Sequence, residues 1–246
     1  MKIHQVKTRL VNSYVIEYPD RLFVMDVAAK CERYVLGFVE HELGRDIAEI
    51  ELVVCSHDDP DHIGGLAALA ARCAAAVAIP YASGALGKKL ANDPLGGLMR
   101  LVTGFREALR PRAWNMYRNS GRDRSARRRP TAVAMPGEVA AAPGPVVRLK
   151  DRATLPGFDD WQVIHTPGHT WDSCCFYHAG SRSLLSGDVL LGSGKRGLLV
   201  TPSVYANPGQ MRKSLRRLKV MDICAVYPGH GSIITGPDIL AAVETI

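Results

Sequence analysis

Residues 51–65 read ELVVCSHDDPDHIGG, a short apolar run followed at once by two histidines and three aspartates. The run Glu51–Cys55 is typical of a buried strand, which predicts that residues 57–62 form the loop after that strand. With this spacing, His57 and Asp59 can point to one place, and Asp61 and His62 to another a few ångströms away. Imidazole and carboxylate groups together suit zinc, iron or manganese. The stretch therefore predicts a metal site at the end of a strand.

Three further segments carry the same kind of residue in the same kind of place. They are Thr166–Thr170 (TPGHT), Ser186–Asp188 (SGD) and Tyr227–Gly231 (YPGHG), and each comes directly after a predicted strand. Prolines and glycines in and around these segments restrict the backbone, as a preorganised metal site requires. We therefore expect all four segments to lie on loops at one edge of a sheet.

Strands and helices alternate in both halves of the chain, which predicts a layered αβ domain over residues 1–246. An insert at about residues 81–142 interrupts the alternation. The periodicity predicts a hairpin of residues 12–18 and 22–27 and three helices, at 31–43, from after Gly65 to Cys73, and at 211–219. Residues 90–117 have helical character that is interrupted by Gly96, Gly97 and Gly104. Strands are predicted at 51–55, 76–79, 146–149, 161–165, 173–177, 183–186 and 223–227.

Composition excludes several classes of protein. With 246 residues, 47% hydrophobic and 22% charged, the chain is neither disordered, collagen-like nor a coiled coil. The longest charge-free stretch of apolar character, residues 73–87, has 15 residues and contains Pro80, so we expect no membrane span. The first residues lack the apolar core of a signal peptide, which predicts a cytoplasmic protein. None of the six cysteines forms a CxxC pair, so neither a disulfide framework nor a cysteine-rich zinc site is indicated.

Positive charge is concentrated in residues 100–130, where ten arginines accompany only Glu107 and Asp123. This segment has a net charge of +8, and the remaining 215 residues sum to −1. Three interpretations stay open: a solvated, mobile insert at 119–130, a rim that binds an anionic substrate, and a nucleic-acid surface. Residues 122–129 carry no aromatic side chain on which bases could stack, which argues against nucleic acid.

Together, the four segments resemble the motifs of the metallo-β-lactamase-fold superfamily. The family pattern is HxHxDH, then a GHT-type histidine, a bridging aspartate and a late PGH histidine, and the resemblance runs from about Asn12 to Gly236. It implies a four-layer αβ/βα sandwich with a dinuclear metal site. The family's roles would make His57, Asp59 and His169 the ligands of one metal, Asp61, His62 and His230 the ligands of the other, and Asp188 the bridge. His165 is left as a packed histidine, because the family site is complete without it.

Position 59 departs from the usual pattern, since most members of the family have histidine there. Two divalent ions bound by Asp61, Asp188 and a bridging hydroxide would keep one net positive charge. The carboxylate of Asp59 would cancel that charge. A less positive cluster is a weaker Lewis acid, and harder oxygen ligands move the preference from zinc toward iron or manganese. The expected cofactor is therefore two divalent ions, zinc or else iron or manganese. Binding of a single metal ion also remains an alternative, because Asp59 would weaken the affinity of one of the two metal positions.

The resemblance to glyoxalase-II-like and lactonase-like members implies a hydrolase of thioesters, lactones or similar activated esters. A metal-bridging hydroxide would attack the carbonyl carbon, with Asp61 as the catalytic residue that orients it and carries the proton. The alternative is a non-haem iron or di-iron protein that reacts with or senses dioxygen, or oxidises a persulfide. Lys195, Arg196 and Tyr205 are candidates for substrate binding. A small molecule, anionic in one interpretation, is the expected partner, and a homodimer stays open.

Overall fold

The computed structural model describes residues 1–8, 11–110 and 144–243. These residues form two compact units. The first unit contains Met1–Gly84 with residues 144–149 and Leu155–Asp159, and the second contains residues 85–110, Lys150–Thr154 and the described chain from Asp160 onward. Within these described ranges, no helix is both long and apolar enough to cross a bilayer.

The first unit is built on a six-stranded sheet in which the strands follow one another in chain order. Its first three strands pair antiparallel and the remaining pairs are parallel. The strand β3 is buried along its whole length, and β4 is buried at all positions but one, as expected for parallel strands covered on both faces. The strands are β1 (Lys2–Lys7), β2 (Asn12–Glu17), β3 (Leu22–Met25), β4 (Ile50–Val54), β5 (Ala76–Pro80) and β6 (Val146–Leu149).

Short helices connect these strands. The helix α1 (Glu32–Gly37) continues as a π-helical turn (Phe38–Glu42), and a 3₁₀ turn (Ile47–Glu49) leads into β4. The helices α2 (Pro60–Ile63) and α3 (Leu66–Cys73) lie between β4 and β5. In α3 the buried side chains recur at helical spacing, which packs one face of the helix into the core: Leu66, Leu69, Ala70 and Cys73.

The second six-stranded sheet belongs mainly to the second unit, and its strand order is β14-β13-β10-β9-β8-β7. The strands β10 and β13 are parallel, while β9 pairs antiparallel with both β8 and β10. A separate two-stranded hairpin is formed by β11 and β12. The strands are β7 (Thr154–Leu155), β8 (Phe158–His165), β9 (Cys174–His178), β10 (Ser183–Gly187), β11 (Leu191–Ser193), β12 (Leu198–Val200), β13 (Ala225–Pro228) and β14 (Ile234–Thr235).

Three helices complete the described part of the second unit: α4 (Leu86–Asn92), α5 (Gly96–Ala108) and α6 (Pro208–Lys219). The side chain of Asn207 caps α6 by accepting a hydrogen bond of 3.1 Å from the backbone N–H of Gln210, and Pro208 occupies the first turn. Leu215 and Leu218 pack this helix into the core of the unit.

Most predicted elements match the structure, with three differences. The helix predicted at 211–219 begins earlier, at Pro208, because Asn207 supplies the cap. The helix predicted at 31–43 changes to π-helical geometry after Gly37. The glycines predicted to interrupt residues 90–117 do not do so in the described residues: Gly96 and Gly97 begin α5, Gly104 lies inside it, and the break falls before Gly96 instead. Residues 111–143, with most of the predicted basic insert and its loop at 119–130, lie outside the described residues.

Candidate metal centre

A buried carboxylate organises the loop after β4. Asp26 follows β3, has a left-handed backbone (φ 57°) and is fully buried. Its Oδ1 accepts a hydrogen bond of 2.7 Å from the backbone N–H of Ser56, and its Oδ2 accepts one of 2.9 Å from the Ser56 hydroxyl. The same Oδ2 lies 2.8 Å from Nδ1 of His62. Because a carboxylate only accepts, the ring proton of His62 sits on Nδ1 and leaves a lone pair on Nε2.

The same carboxylate sets the proton position on His57 through the serine. Nδ1 of His57 lies 2.9 Å from the Ser56 hydroxyl oxygen, whose own proton is donated to Asp26. Nδ1 of His57 must therefore be the donor in that contact, and its Nε2 also carries a lone pair. The two rings are buried, with their centroids 4.1 Å apart. Asp26 and Ser56 thus orient both imidazoles so that each Nε2 could bind a metal ion.

Each of these lone pairs faces a carboxylate oxygen from the same loop. Nε2 of His57 lies 3.2 Å from Oδ2 of Asp59, and Nε2 of His62 lies 3.9 Å from Oδ2 of Asp61. Pro60 begins α2, and the backbone carbonyl of Asp59 accepts a hydrogen bond of 2.8 Å from the His62 N–H, which fixes the loop. Two acceptors at 3.2 Å repel each other unless a cation lies between them. The donor set therefore fits a metal ion.

The second unit holds a comparable arrangement of its own. Nδ1 of His169 lies 2.8 Å from the backbone carbonyl oxygen of Val204, which can only accept, so Nε2 of this histidine again carries a lone pair. It lies 3.6 Å from Oδ2 of Asp188, and Nε2 of His230 lies 3.3 Å from the same oxygen. Asp188 directly follows β10, and His230 follows the parallel neighbour β13. The carboxyl ends of these two strands share one edge of the sheet, which brings the two side chains together.

Two glycines are required by close backbone contacts around these ligands. A Cβ at Gly168 would lie 2.6 Å from the backbone nitrogen of Met211, and the residue has φ 143°. A Cβ at Gly231 would overlap the carbonyl oxygen of Gly192, whose own N–H donates a hydrogen bond of 3.1 Å to the carbonyl of His230. Only glycine fits at either position, so the turns that carry His169 and His230 are fixed by backbone packing.

The described residues that could hold a metal ion are the seven that the sequence motifs pointed to. The groups that orient these histidines were not predicted from the sequence, and they are Asp26, Ser56 and the carbonyl of Val204. Asp26 directly follows the buried strand β3, but as a lone aspartate it belongs to no motif that would single it out in the sequence. The predicted ligands are His57, Asp59, Asp61, His62, His169, Asp188 and His230.

The other residues singled out from the sequence are placed as follows. Lys195 and Arg196 are exposed in the turn between β11 and β12. Tyr205 is half-buried, and its backbone N–H and carbonyl group both contact the hydroxyl of Thr103 in α5. A role for these three in substrate binding stays a prediction. Nε2 of His165 lies 2.6 Å from the carbonyl oxygen of Trp171, which accounts for this histidine as a packed residue.

Two neighbouring buried cysteines are poor nucleophiles and poor metal ligands. All six lie in the described part of the chain as thiols outside any disulfide, and all but Cys224 are buried. Burial raises the pKa of the Cys175 thiol to about 12 and raises the pKa of its neighbour Cys174 well above the ordinary value. Because the thiolate is the reactive and metal-binding form, these two groups stay inert near neutral pH.

Comparison with known proteins identifies one family. The family model described as the metallo-beta-lactamase superfamily matches residues 6–230. Hydroxyacylglutathione hydrolase of Hydrogenovibrio crunogenus is 42% identical over 73 residues, which are 29% of this chain and 25% of that protein. The atrochrysone carboxyl ACP thioesterase AgnL7 of Paecilomyces divaricatus is 32% identical over 73 residues, 30% of this chain and 21% of that protein. The aligned stretches therefore span a quarter or less of the length of these relatives.

Solved structures resemble the whole described fold. A metallo-beta-lactamase family protein of Thermus thermophilus, TTHA1429, superposes with a TM-score of 0.62 at 20% identity, over 97% of this chain and 76% of that chain. TTHA1623, solved in a di-iron-bound form, superposes with a TM-score of 0.58 at 23% identity, over 96% of this chain and 94% of that chain. At these identities the likeness shows the fold, and the metallo-β-lactamase fold predicted from the sequence is confirmed.

Proposed function

Because the chain belongs to the metallo-beta-lactamase superfamily, we propose that it is a metal-dependent hydrolase of a thioester, a lactone or a similarly activated ester. Two kinds of relative support the proposal. One is named as a hydrolase of hydroxyacylglutathione, and the other as a thioesterase of an acyl carrier protein substrate. Both names denote hydrolysis of an acyl group from a carrier.

The observation that carries the proposal is the orientation of the histidines. Three of them are anchored through Nδ1, each by a different protein group, and each presents Nε2 to a carboxylate oxygen between 3.2 and 3.9 Å away. Hydrogen bonds that fix the tautomer and the ring are the usual support of metal-bound histidine. An arrangement of turn-forming histidines without a metal would have no reason to repeat this geometry.

The proposed ligand sets follow the family pattern. His57, Asp59 and His169 would bind one ion, and Asp188 would contact both ions. Asp61, His62 and His230 would bind the second ion. Two such ions would supply a Lewis acid and an activated water molecule.

The chain's own residues would then handle the protons of the reaction. Asp61 is the ligand proposed to do this, and its side chain is 30% exposed, so water reaches its carboxylate. As the oxygen of the attacking water bonds to the carbonyl carbon, Asp61 accepts the proton that this water loses. When the carbon–sulfur or carbon–oxygen bond breaks, Asp61 returns the proton to the leaving atom. Atoms and charge balance without any redox partner.

The second candidate function is a non-haem iron protein that reacts with or senses dioxygen, or oxidises a persulfide. The observation that favours it is Asp59, whose carboxylate lies against His57 where the common family pattern has a second imidazole. Harder oxygen ligation favours iron over zinc. The di-iron form of a protein with the same fold fits this alternative.

Metal analysis separates the two candidates. We expect protein purified without oxygen to contain about two zinc or manganese ions per chain and no visible absorption band, and to hydrolyse at least one member of a panel of thioesters and lactones. Chelation should abolish that hydrolysis, and restoring the metal should recover it. One or two irons with a band that changes on admission of air would favour the second candidate. Absence of stoichiometric metal would overturn both.

Replacement of Asp59 by histidine tests the account of that position. Asp59→His restores an imidazole and removes one negative charge, so we expect tighter zinc binding and faster ester hydrolysis, each by about tenfold. Under the iron alternative, the same change should impair oxygen chemistry. Isothermal titration with zinc and steady-state kinetics measure the two effects, with Asp20→His, at an exposed carboxylate, as the matched control. Unchanged zinc affinity would show that Asp59 is not a ligand.

A further inference from the structure

The helix α5 is attached to the second unit by its polar side. Its buried residues are Gly96 and Thr103, seven positions apart on one face. The Thr103 hydroxyl lies 3.1 Å from the carbonyl oxygen of Tyr205, and the Tyr205 N–H donates to the same hydroxyl at 3.2 Å. A Cβ at Gly96 would overlap the carboxylate of Asp93 and lie 3.2 Å from the Cβ of Ala206, so the start of the helix packs closely against these two side chains. These contacts determine which face of α5 points outward.

The outward face is apolar. Five large side chains recur at positions i, i+3, i+4, i+7 and i+11, the spacing of a single helical stripe that normally faces a core. Here their exposed fractions lie between 55% and 71%. A single exposed leucine is ordinary, but a contiguous apolar stripe marks a surface that binds a partner or a membrane. We call this set the outward stripe, and its members are Leu98, Leu101, Val102, Phe105 and Leu109.

The charge around the outward stripe is positive. Residues 86–110 contain five lysines and arginines and only two acids. One of these acids, Asp93, is buried and accepts a hydrogen bond of 3.1 Å from Asn207, and the other, Glu107, pairs with Arg110 at 3.1 Å. Lys88 and Arg106 are exposed.

This charge distinguishes between two occupants of the outward stripe. A second copy of the chain, packed stripe to stripe, would bring two sets of like charges together. An anionic lipid surface would bury the apolar side chains in the acyl boundary and place Arg106, an exposed residue of the same helix, among negative headgroups. We propose that the outward stripe of α5 binds the surface of anionic membranes, with the chain lying on the bilayer and not crossing it.

Vesicle sedimentation with the full chain in its metal-bound form tests the proposal. We expect the protein to pellet with vesicles of phosphatidylcholine and phosphatidylglycerol in equal amounts, and not with phosphatidylcholine alone. The double variant L101Q/F105Q should bind the anionic vesicles at least about tenfold more weakly, because two apolar anchors are lost. R106Q should weaken binding about fivefold, and raising the salt concentration should weaken it further. V220Q, at a side chain that is 86% exposed outside the outward stripe, is the matched control and should bind like the unmodified protein.

Three results would overturn the proposal. The first is absence of binding to either vesicle, and the second is equal binding by L101Q/F105Q and the unmodified protein. The third is a concentration-dependent dimer in light scattering that L101Q/F105Q abolishes, without vesicle binding, which would make a second copy the occupant. Because all substitutions are at exposed positions, circular dichroism should show unchanged folding. Ester hydrolysis in solution should be unaffected, so failure here is distinguishable from failure of the proposed hydrolase.

Discussion

Asp188→Ala is expected to lower kcat/KM for every hydrolysed ester by about a thousandfold or more, since loss of the electrostatic contribution of a metal centre amounts to several kcal/mol. Asp188 is the carboxylate that both His169 and His230 approach, at 3.6 and 3.3 Å. No other described carboxylate shares this position, so its removal disturbs the ligands on both sides. Elemental analysis should show less than the full metal content in the same variant.

The comparison variant is Asp222→Ala, at an exposed carboxylate in the same unit that pairs with Arg182. We expect normal activity and metal content from it. Thermal unfolding of both variants, without metal, checks that the loss in Asp188→Ala does not come from misfolding. Hydrolysis by Asp188→Ala at the unmodified rate would exclude the proposed metal centre. We expect His57→Ala to lose hydrolysis in the same way.

Asp26→Asn is expected to reduce metal affinity by about ten- to a hundredfold while leaving the fold intact. The amide keeps the shape of the carboxylate but replaces one acceptor by a donor. It can no longer accept from Ser56 N–H, the Ser56 hydroxyl and Nδ1 of His62 together. Histidine that loses its Nδ1 acceptor shifts its proton to Nε2, which blocks the ligand atom.

The readout that identifies a positioning role is the tautomer of His62 in the metal-free protein. Nitrogen-15 NMR should show the proton on Nδ1 in the unmodified chain and a shift toward Nε2 in Asp26→Asn. Asp26→Ala should in addition lower the free energy of unfolding by about 3 kcal/mol, because it leaves three buried donors unsatisfied. Asp20→Asn is the control. An unchanged tautomer together with unchanged metal affinity would contradict the role of Asp26.

Much of the candidate site follows from residue types at strand ends. A buried run followed by histidines and aspartates predicts both the strand and the loop, because packing alone gives no reason for such side chains there. The sequence pattern alone predicts the four site residues of this loop, His57, Asp59, Asp61 and His62. It does not predict Asp26, which is a lone aspartate after an apolar run. The importance of Asp26 depends on a contact with a residue 36 positions away.

The orientation of α5 shows a different limit. Helical periodicity in residues 98–109 predicts an amphipathic helix, and the usual expectation is that the apolar stripe faces the core. The structure has the opposite arrangement because the helix is held by Thr103 and by the close approach at Gly96. The helix of thirteen residues has two candidate faces, the face of Gly96 and Thr103 and the face of the outward stripe. Only the tertiary contacts decide which of these two faces is buried.

The shared anchor in the first unit has a consequence for how metal would be taken up. Asp26 holds His62 directly and His57 through one hydroxyl group, so the two rings move with a single carboxylate. Because these hydrogen bonds already hold both rings in place, a metal ion would meet either Nε2 atom without first having to order its ring. A substitution at Asp26 would therefore change the metal affinity of His57 and of His62 together.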